Sequence, residues 1–348
     1  MTYRVGMIGC GQIASIFEDD EWREHPCTHA GAYNAVKETE IVAAADINKE
    51  RLSAFSKRWG VKSIYKDYKE MLEKEELDIV SVTANTAMHC EITTKAAKSG
   101  VKAIFCEKPI ATCLEEADEM IKTCDREGVK LIINHTRRWD TYYQKARELI
   151  NSGKIGDLIS IAGYFTSGLL IMGTHLFDMF RFFAGDVEWV VADTEVIEDA
   201  NGYQKTDPSG NGFMHFKNGV IGTAIGSSKK QYLIFEIDIH GTQGRIYIRD
   251  NGRTLELWTP DKEREHIDYN TPNELTLEKS PRVERKNSMI AAVEDVVRAV
   301  ERDREGMCTG RDGRAALELA LAFHKSAQEG GKKITLPLKD RRLRVISR

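Results

Sequence analysis

Two side chains in this sequence have the chemistry to move a proton. Lys108 directly follows Glu107 after an apolar run at 102–106, and His175 follows Thr174 at the start of a helical pattern. An ammonium group beside a reacting oxygen can steady developing negative charge, and an imidazole titrates near neutral pH. Each is therefore a candidate for acid–base chemistry at an alcohol or carbonyl group. The alternatives are a surface salt bridge for Lys108 and a packed, hydrogen-bonded structural role for His175.

Further polar residues could complete a binding site around these two. Thr174 could cap the helix that begins there, which would place His175 and Asp178 on one face of it. Arg137 and Arg138 follow the predicted strand at 130–134 and could reach a cofactor or an anionic group of a substrate. A basic junction between two domains explains the two arginines equally well.

The start of the chain carries a pattern typical of phosphate binding. Gly9-x-Gly11-x-x-Ala14 follows an apolar strand at 4–8. The first glycine permits a sharp turn, the second lets the backbone approach a pyrophosphate, and Ala14 keeps the next helix close to the sheet. The expected pyrophosphate contacts are Gly9, Gly11, Gln12 and Ile13. A tight turn from strand to helix without any ligand is the alternative.

Asp46 ends the second predicted strand, where a carboxylate can accept hydrogen bonds from ribose hydroxyls and would repel a 2'-phosphate. This predicts NAD rather than NADP, although Lys49 leaves room for NADP. Asp46 lies about a dozen residues farther from the glycines than the usual spacing of about 20. An insertion over 17–28 would account for the difference. The alternative is a solvated strand end.

The alternation of apolar runs with helical segments over residues 1–134 predicts a Rossmann domain, which is a doubly wound α/β sheet of parallel strands. Its predicted strands lie near 4–8, 41–46, 62–64, 78–83, 102–106 and 130–134.

Residues 135–348 predict a second domain of the α+β class, with a large, mostly antiparallel open sheet, for substrate binding and oligomerisation. Turn pairs such as Asn218-Gly219 separate its strand-like runs. The predicted strands lie near 158–165, 187–196, 211–217, 219–228, 232–240, 244–249 and 253–258. The predicted helices lie near 140–152, 174–184, 288–303 and 311–329, and the last three are expected to cover one face of this sheet. The stretch 260–287 is interpreted as a loop.

Composition excludes several classes of protein. The 348 residues are 41% apolar and 30% charged with a net charge of -4, which predicts two ordinary globular domains and neither nucleic acid nor membrane as a partner. Seven cysteines without a CxxC pair fit neither a disulfide framework nor a zinc site, so we expect a cytoplasmic protein without a bound metal. The first residues lack the pattern of a signal peptide, and no apolar run reaches the roughly 18 residues of a membrane span.

Taken together, these segments resemble the glucose-fructose oxidoreductase and inositol 2-dehydrogenase family, called Gfo/Idh/MocA, over essentially the whole chain. The matching pieces are the glycine turn and the segments 83–89, 107–109, 134–138, 173–178, 309–313 and 336–337. The resemblance implies hydride transfer between NAD(P) and a secondary alcohol or ketone of a sugar, cyclitol or related compound. It also implies a homodimer or homotetramer.

The resemblance further implies roles for particular residues. Lys108 and His175 would be the catalytic pair. The implied cofactor contacts, beyond the glycine turn and Asp46, are Thr83, Asn85, His89, Glu107, Lys108 and Arg138. The implied substrate contacts are Lys108, Arg137, Thr174, His175 and Asp178. On residue type alone, His89 could equally be structural.

Two positions depart from the family pattern. Many members have an aspartate four residues before the histidine, where this sequence has Ile171, and a proline after the fourth strand, where it has Ala84. Ile171 leaves open a non-catalytic NAD-binding regulator as an alternative. An NAD-dependent glycosidase of the same family is a second alternative.

Overall fold

A computed structural model describes residues 2–195, 207–228, 231–261, 273–278 and 283–345. The N-terminal part contains the predicted parallel sheet. Its strands are β1 (Tyr3–Ile8), β2 (Thr39–Ala45), β3 (Ser63–Tyr65), β4 (Ile79–Val82), β5 (Ala103–Cys106) and β6 (Lys130–Ile133), in the spatial order β3-β2-β1-β4-β5-β6. The helices between and after them are α1 (His29–Ala35), α2 (Lys49–Trp59), α3 (Tyr68–Lys74), α4 (His89–Ala97), α5 (Leu114–Glu127) and α6 (Thr141–Asn151). Every residue of β4 and β5 is buried, which explains their continuous apolar runs.

The C-terminal part contains a nine-stranded sheet. Its strands are β7 (Leu158–Thr166), β8 (Val187–Thr194), β9 (Gly210–Phe216), β10 (Ile221–Ser227), β11 (Phe235–Gly241), β12 (Gly244–Arg249), β13 (Thr254–Pro260), β14 (Leu275–Glu278) and β15 (Ile334–Thr335). They follow the spatial order β14-β13-β12-β11-β7-β10-β9-β8-β15. All neighbouring pairs are antiparallel except β7 with β10. The predicted fold class is therefore confirmed for both parts of the chain.

Three details correct the sequence-based expectations. The stretch 260–287 is not all loop, because β14 pairs with β13, and the short edge strand β15 was not predicted. The last two helices are α8 (Ser288–Glu301) and α9 (Gly310–Gln328). Of the helices expected on the second sheet, α7 (Thr174–Ala184) and α9 contact its strands, but α8 packs against α1, β5 and β6. One hydrophobic core consequently runs through both parts of the molecule.

The carboxyl ends of β1, β2, β4, β5 and β6 meet at one edge of the parallel sheet, which is where ligands bind in doubly wound folds. A short 3₁₀ helix, Thr136–Trp139, follows β6 and contacts α7. A π-helical segment, Leu169–Gly173, leads directly into α7. These two segments carry polar side chains of the second part to that edge. Among the described helices, none is long and apolar enough to span a membrane.

Candidate active site

The glycine turn has the geometry that its sequence predicts. Gly9 has a φ of +95°, and a Cβ there would lie 2.7 Å from the backbone C and O of Thr83. Only glycine fits such a conformation and such an approach. Around Gly11, in contrast, the nearest atom to an added Cβ is Nη1 of Arg51 at 3.9 Å. The turn therefore packs closely against Thr83, the residue after β4, at Gly9, and it leaves open space at Gly11.

The open side of the turn presents hydrogen-bond donors. Within the described residues, no group accepts a hydrogen bond from the backbone N–H of Gly11, Gln12 or Ile13. Such amides are the donors that bind phosphate oxygens in nucleotide turns. The residues present thus fit a dinucleotide.

The helix after this turn differs from the prediction. A turn at 11–15 and a 3₁₀ helix, Ile16–Asp19, follow the glycines, and α1 begins only at His29. The N–H of His29 donates to the C=O of Ile13 at 3.0 Å, spanning 16 positions where an α-helix spans four. About twelve residues are therefore inserted between the glycine turn and the start of α1. This insertion explains the long spacing from the glycines to Asp46.

Asp46 is held at the mouth of a cavity. Its Oδ2 accepts the N–H of Cys10 and its Oδ1 accepts the N–H of Asn48, each at 2.7 Å. The cavity measures about 550 Å³, and its wall includes Asp46, Gly11 and Thr83. Arg51, which the sequence analysis missed, lies on this wall and on that of a second cavity.

The second cavity, of about 750 Å³, contains the predicted lysine. Lys108 follows β5, and its Nζ donates to the C=O of Ile171 at 2.8 Å. Both residues line the cavity, together with several other predicted contacts: Gln12, Ile13, Thr83, Asn85, His89 and Glu107. Both cavities share Gly11, Arg51 and Thr83 as wall residues, so they adjoin along the sheet edge, and we call the two together the groove.

His175 lies one helical turn after Ile171, beside this groove, and is 7% exposed. Its Nδ1 is buried without a hydrogen-bond partner among the described residues. Burial, followed by the positive charges of Arg137 and Lys108, lowers the pKa of His175 well below its usual value. The imidazole is therefore neutral at pH 7, with one ring nitrogen unprotonated.

A second histidine, His135, packs edge-on against His175 with ring centroids 5.3 Å apart. Neither of its ring nitrogens has a hydrogen-bond partner in the described part of the chain. Burial lowers the pKa of His135 to about 4, although the charge of Asp178 acts in the opposite direction. Two adjacent neutral imidazoles thus lie next to the segment that carries Ile171, although neither lines the two cavities.

Thr174 does not cap the helix as predicted. Its backbone is helical, and its hydroxyl donates to the C=O of Leu170 at 3.0 Å. Gly173 lies at the N-terminal cap of α7 without a side-chain hydrogen bond, and the carboxylate of Asp207 accepts the N–H of Leu170 in the preceding π-helical segment. The preceding π-helical segment could not be foreseen, because its sequence is ordinary helical sequence.

Arg138 and Asp178 are placed differently from the predicted ligand contacts. Nε and Nη2 of Arg138 donate to the two carboxylate oxygens of Asp178 at 2.9 and 2.8 Å, and Nη2 also reaches Asp312 at 3.0 Å. Asp178 is fully buried and Arg138 is 6% exposed. Neither lines the two cavities. The pair fastens α7 to the segment after β6, and the ligand contacts expected of these two residues stay predictions.

Two further predicted contacts, Arg137 and His89, lie in different places: Arg137 packs at the second sheet, and His89 lines the groove. The guanidinium of Arg137 lies 3.6 Å above the ring of Phe235, at the second sheet. The ring nitrogens of His89 lie 3.1 and 3.0 Å from the carbonyl oxygens of Ala84 and Pro109. His89 therefore ties two loops of the groove together, and burial lowers its pKa.

One cluster of possible metal ligands lies in the inserted segment. Glu18, His25 and Cys27 place their ligand atoms within 4.8 Å of one another. Oε2 of Glu18 lies 2.8 Å from Nδ1 of His25, and burial with the charge of Glu18 raises the pKa of Cys27 to about 11. Hydrogen bonds account for these contacts, and we assign no metal.

The arrangement suits a nicotinamide-dependent oxidoreductase: open amides lie at the glycine turn, a lysine lines the same groove, and a neutral histidine follows one helical turn after Ile171. Comparison with known proteins identifies the family. Residues 3–135 match the model described as an oxidoreductase family with an NAD-binding Rossmann fold, and residues 162–336 match the C-terminal alpha/beta domain of the same family. The chain belongs to the Gfo/Idh/MocA oxidoreductase family.

Relatives and solved structures agree with this assignment. Myo-inositol 2-dehydrogenase of Thermotoga maritima is 28% identical over 94% of this chain and 96% of its own. D-apiose dehydrogenase of Paraburkholderia graminis is 26% identical over 94% of this chain and 88% of its own. The crystal structure of a probable dehydrogenase from Thermotoga maritima has a TM-score of 0.76 at 26% identity, covering 96% of this chain and 98% of that one.

Proposed function

We propose that the chain uses NAD to oxidise a secondary alcohol of a sugar, cyclitol or related polyol, or to reduce the corresponding ketone, with Lys108 and His175 as the catalytic pair. The observation that carries this proposal is the position of Lys108. It lies in the groove that starts at the glycine turn, and its Nζ bonds to the carbonyl oxygen of Ile171, one helical turn before His175.

The chain's own residues suit this reaction. When bound, NAD supplies the hydride acceptor at its nicotinamide. The ammonium of Lys108 can exchange the Ile171 carbonyl for a substrate oxygen and orient it. His175, kept neutral by burial and by neighbouring positive charge, accepts the alcohol proton. The dehydrogenase relatives, with polyols or sugars in their names, support the substrate class.

Asp46 supports NAD over NADP. Its carboxylate is fixed at the mouth of the first cavity by two backbone amides, where it can accept ribose hydroxyls and repel a phosphate. Arg51 and Lys66 line the same cavity and would favour a phosphate. The preference for NAD over NADP therefore depends on whether the carboxylate of Asp46 or one of the two cations lies nearest the 2'-position of the ribose.

A screen for cofactor reduction tests the proposal. The protein is mixed with NAD and a panel of sugars, sugar acids and inositols, and absorbance of the reduced cofactor is followed. We expect turnover with at least one polyol, and a loss of about 10² to 10⁴-fold in Lys108→Met. Lys98→Met, at the exposed C-terminal cap of α4, is the matched control. Turnover of Lys108→Met close to the wild-type rate would refute the assigned role.

A non-catalytic NAD-binding regulator is the second candidate, favoured by Ile171. Its apolar side chain lines the groove beside Lys108. Measurable NAD binding without turnover of any compound in the panel would support this regulator. Product analysis separates a third possibility, an NAD-dependent glycosidase, since elimination would release a cleaved sugar.

Two further expectations concern assembly and compartment. The open face of the nine-stranded sheet exposes Tyr164, Phe213 and Ile225 at 40, 37 and 47%. Apolar side chains on such a face support the proposed homodimer or homotetramer. All seven cysteines are free thiols, which supports a cytoplasmic location. The division into domains at residue 134 stays a prediction.

A further inference from the structure

A buried polar network lies under the groove and contains a histidine that the reaction does not use. His29, the first residue of α1, is completely buried. Its Nε2 lies 2.9 Å from Oε1 of Glu107, and its Nδ1 lies 2.6 Å from Oγ of Ser81. Nδ2 of Asn134 donates to the same Glu107 oxygen at 2.6 Å. The network therefore joins α1, β4, β5 and the end of β6.

The hydrogen bonds define which nitrogen of His29 carries a proton. An ionised carboxylate only accepts hydrogen bonds, so Nε2 must be the donor toward Glu107. The Ser81 hydroxyl can then donate to Nδ1, because a hydroxyl both donates and accepts. Burial alone would raise the pKa of Glu107, but the hydrogen bond from His29, the positive charge of Lys108 and the hydrogen bond from Asn134 lower it. Glu107 is thus held as a carboxylate at 8% exposure.

Glu107 also hydrogen-bonds to Lys108, the proposed catalytic lysine. Its Oε2 accepts the backbone N–H of Lys108 at 3.1 Å, and Glu107 itself lines the cavity that contains Lys108. Three donors thus fix the carboxylate: Nε2 of His29, Nδ2 of Asn134 and the amide of Lys108. We propose that His29 is a positioning residue, which donates from Nε2 to Glu107 and so fixes the wall of the groove at Lys108.

The inserted segment holds His29 in place. Thr28 caps α1 by accepting the N–H of Gly31 at 3.1 Å. Oε1 of Glu18 accepts both the N–H and the hydroxyl of Thr28, at 2.9 and 2.7 Å. The His29 ring also packs on Phe105, with ring centroids 4.6 Å apart. Because the segment ends at the residue before His29, its capping contacts set the position of the imidazole.

A pair of matched variants tests this inference, which rests on the proposed dehydrogenase function. In His29→Gln an amide nitrogen can take the place of Nε2, whereas in His29→Asn it can take the place of Nδ1. We expect kcat of His29→Gln to stay within about threefold of wild type and kcat of His29→Asn to fall about 10 to 100-fold, since small displacements of reacting groups cost such factors. The dissociation constant of NADH, measured by fluorescence, should change less than about threefold in both.

Equal kcat values for the two variants, or a higher kcat for His29→Asn, would overturn the inference. Two-bond proton–nitrogen NMR spectra of the wild type provide a test that needs no turnover and no folded variant. The inference requires a proton on Nε2 of His29, and an unprotonated Nε2 contradicts it. If wild type turns over no polyol, the proposed function fails, and the spectrum still decides whether His29 donates to Glu107.

Discussion

The two ends of the groove differ in the hydrogen bonding of their polar groups. The cofactor end is formed by the glycine turn and Asp46, and the proposed catalytic end is formed by Lys108 with the neighbouring His175 and His135. At the cofactor end, both oxygens of Asp46 accept backbone N–H groups, and the glycine turn is locked against Thr83. At the catalytic end, Nδ1 of His175 and both nitrogens of His135 are buried without partners among the residues described. The cofactor end is built from local backbone and, among the described residues, leaves only the amides of Gly11, Gln12 and Ile13 open toward a ligand. The catalytic end is an arrangement of desolvated bases whose proton chemistry depends on burial.

The largest effect should come from the ion pair that supports the catalytic end. Asp178→Asn leaves the buried guanidinium of Arg138 without its bidentate partner, so we expect a loss of about 3 to 5 kcal/mol in the free energy of unfolding. Urea denaturation measures it. Glu70→Gln, which breaks an exposed pair with Lys74, should leave the free energy of unfolding nearly unchanged, because solvent screens such pairs. Similar losses in both variants would contradict the structural role given to Asp178.

The next effect concerns the buried bases themselves and depends on pH. His135 has a pKa of about 4 in the folded protein and about 6.5 when unfolded. Between these values only the unfolded chain binds the proton, so the free energy of unfolding falls as pH drops through this window. The contribution reaches about 3 kcal/mol at the low end, from 1.36 kcal/mol per pKa unit.

Unfolding of His135→Gln at several pH values measures this contribution. The variant should lose less stability than wild type between about pH 7 and pH 4.5, because one protonation site of the unfolded chain is gone. His240→Gln, an exposed position on β11, is the control and should follow wild type. If the free energy of unfolding depended on pH identically in wild type and His135→Gln, the folded protein would protonate His135 as readily as the unfolded chain does, and the lowered pKa would be wrong.

The smallest effect is expected at the cofactor end. Asp46→Asn removes a negative charge near the ribose site but keeps an acceptor for a backbone amide, so the kcat/KM preference for NAD over NADP should fall about tenfold, which corresponds to about 1.4 kcal/mol. Asp67→Asn changes another carboxylate of the same cavity, which caps α3, and should leave the preference unchanged. An unchanged preference in Asp46→Asn would remove Asp46 from the ribose site.

The sequence predicted the cofactor end better than the catalytic end, for a physical reason. Gly9, Gly11 and Asp46 are set by strand ends and turns, whose signals are local and readable along the chain. The sequence also predicted that Lys108 lies at the ligand-binding edge of the sheet, because the carboxyl ends of parallel strands meet there, and Lys108 does line the groove.

Long-range pairing was not readable in this way. Arg138 and Asp178 are 40 positions apart; each was predicted as a ligand contact, and their buried ion pair with each other could not be read from the sequence. His29 and Glu107 are 78 positions apart, and the inserted segment hid the fact that His29 belongs to the first helix. The edge strands β14 and β15 have four and two residues, which is too short for a periodic pattern.

The rate of hydride transfer in a single turnover tests the central claim most directly. Protein saturated with NAD is mixed rapidly with a substrate found in the screen, and formation of the reduced cofactor is followed in wild type, His175→Gln and the surface control His240→Gln. We predict a fall of about 100-fold or more in His175→Gln alone, with NAD affinity unchanged, because the alcohol proton loses its acceptor. Equal rates in all three proteins would contradict the assignment of His175 and with it the proposed chemistry of the groove.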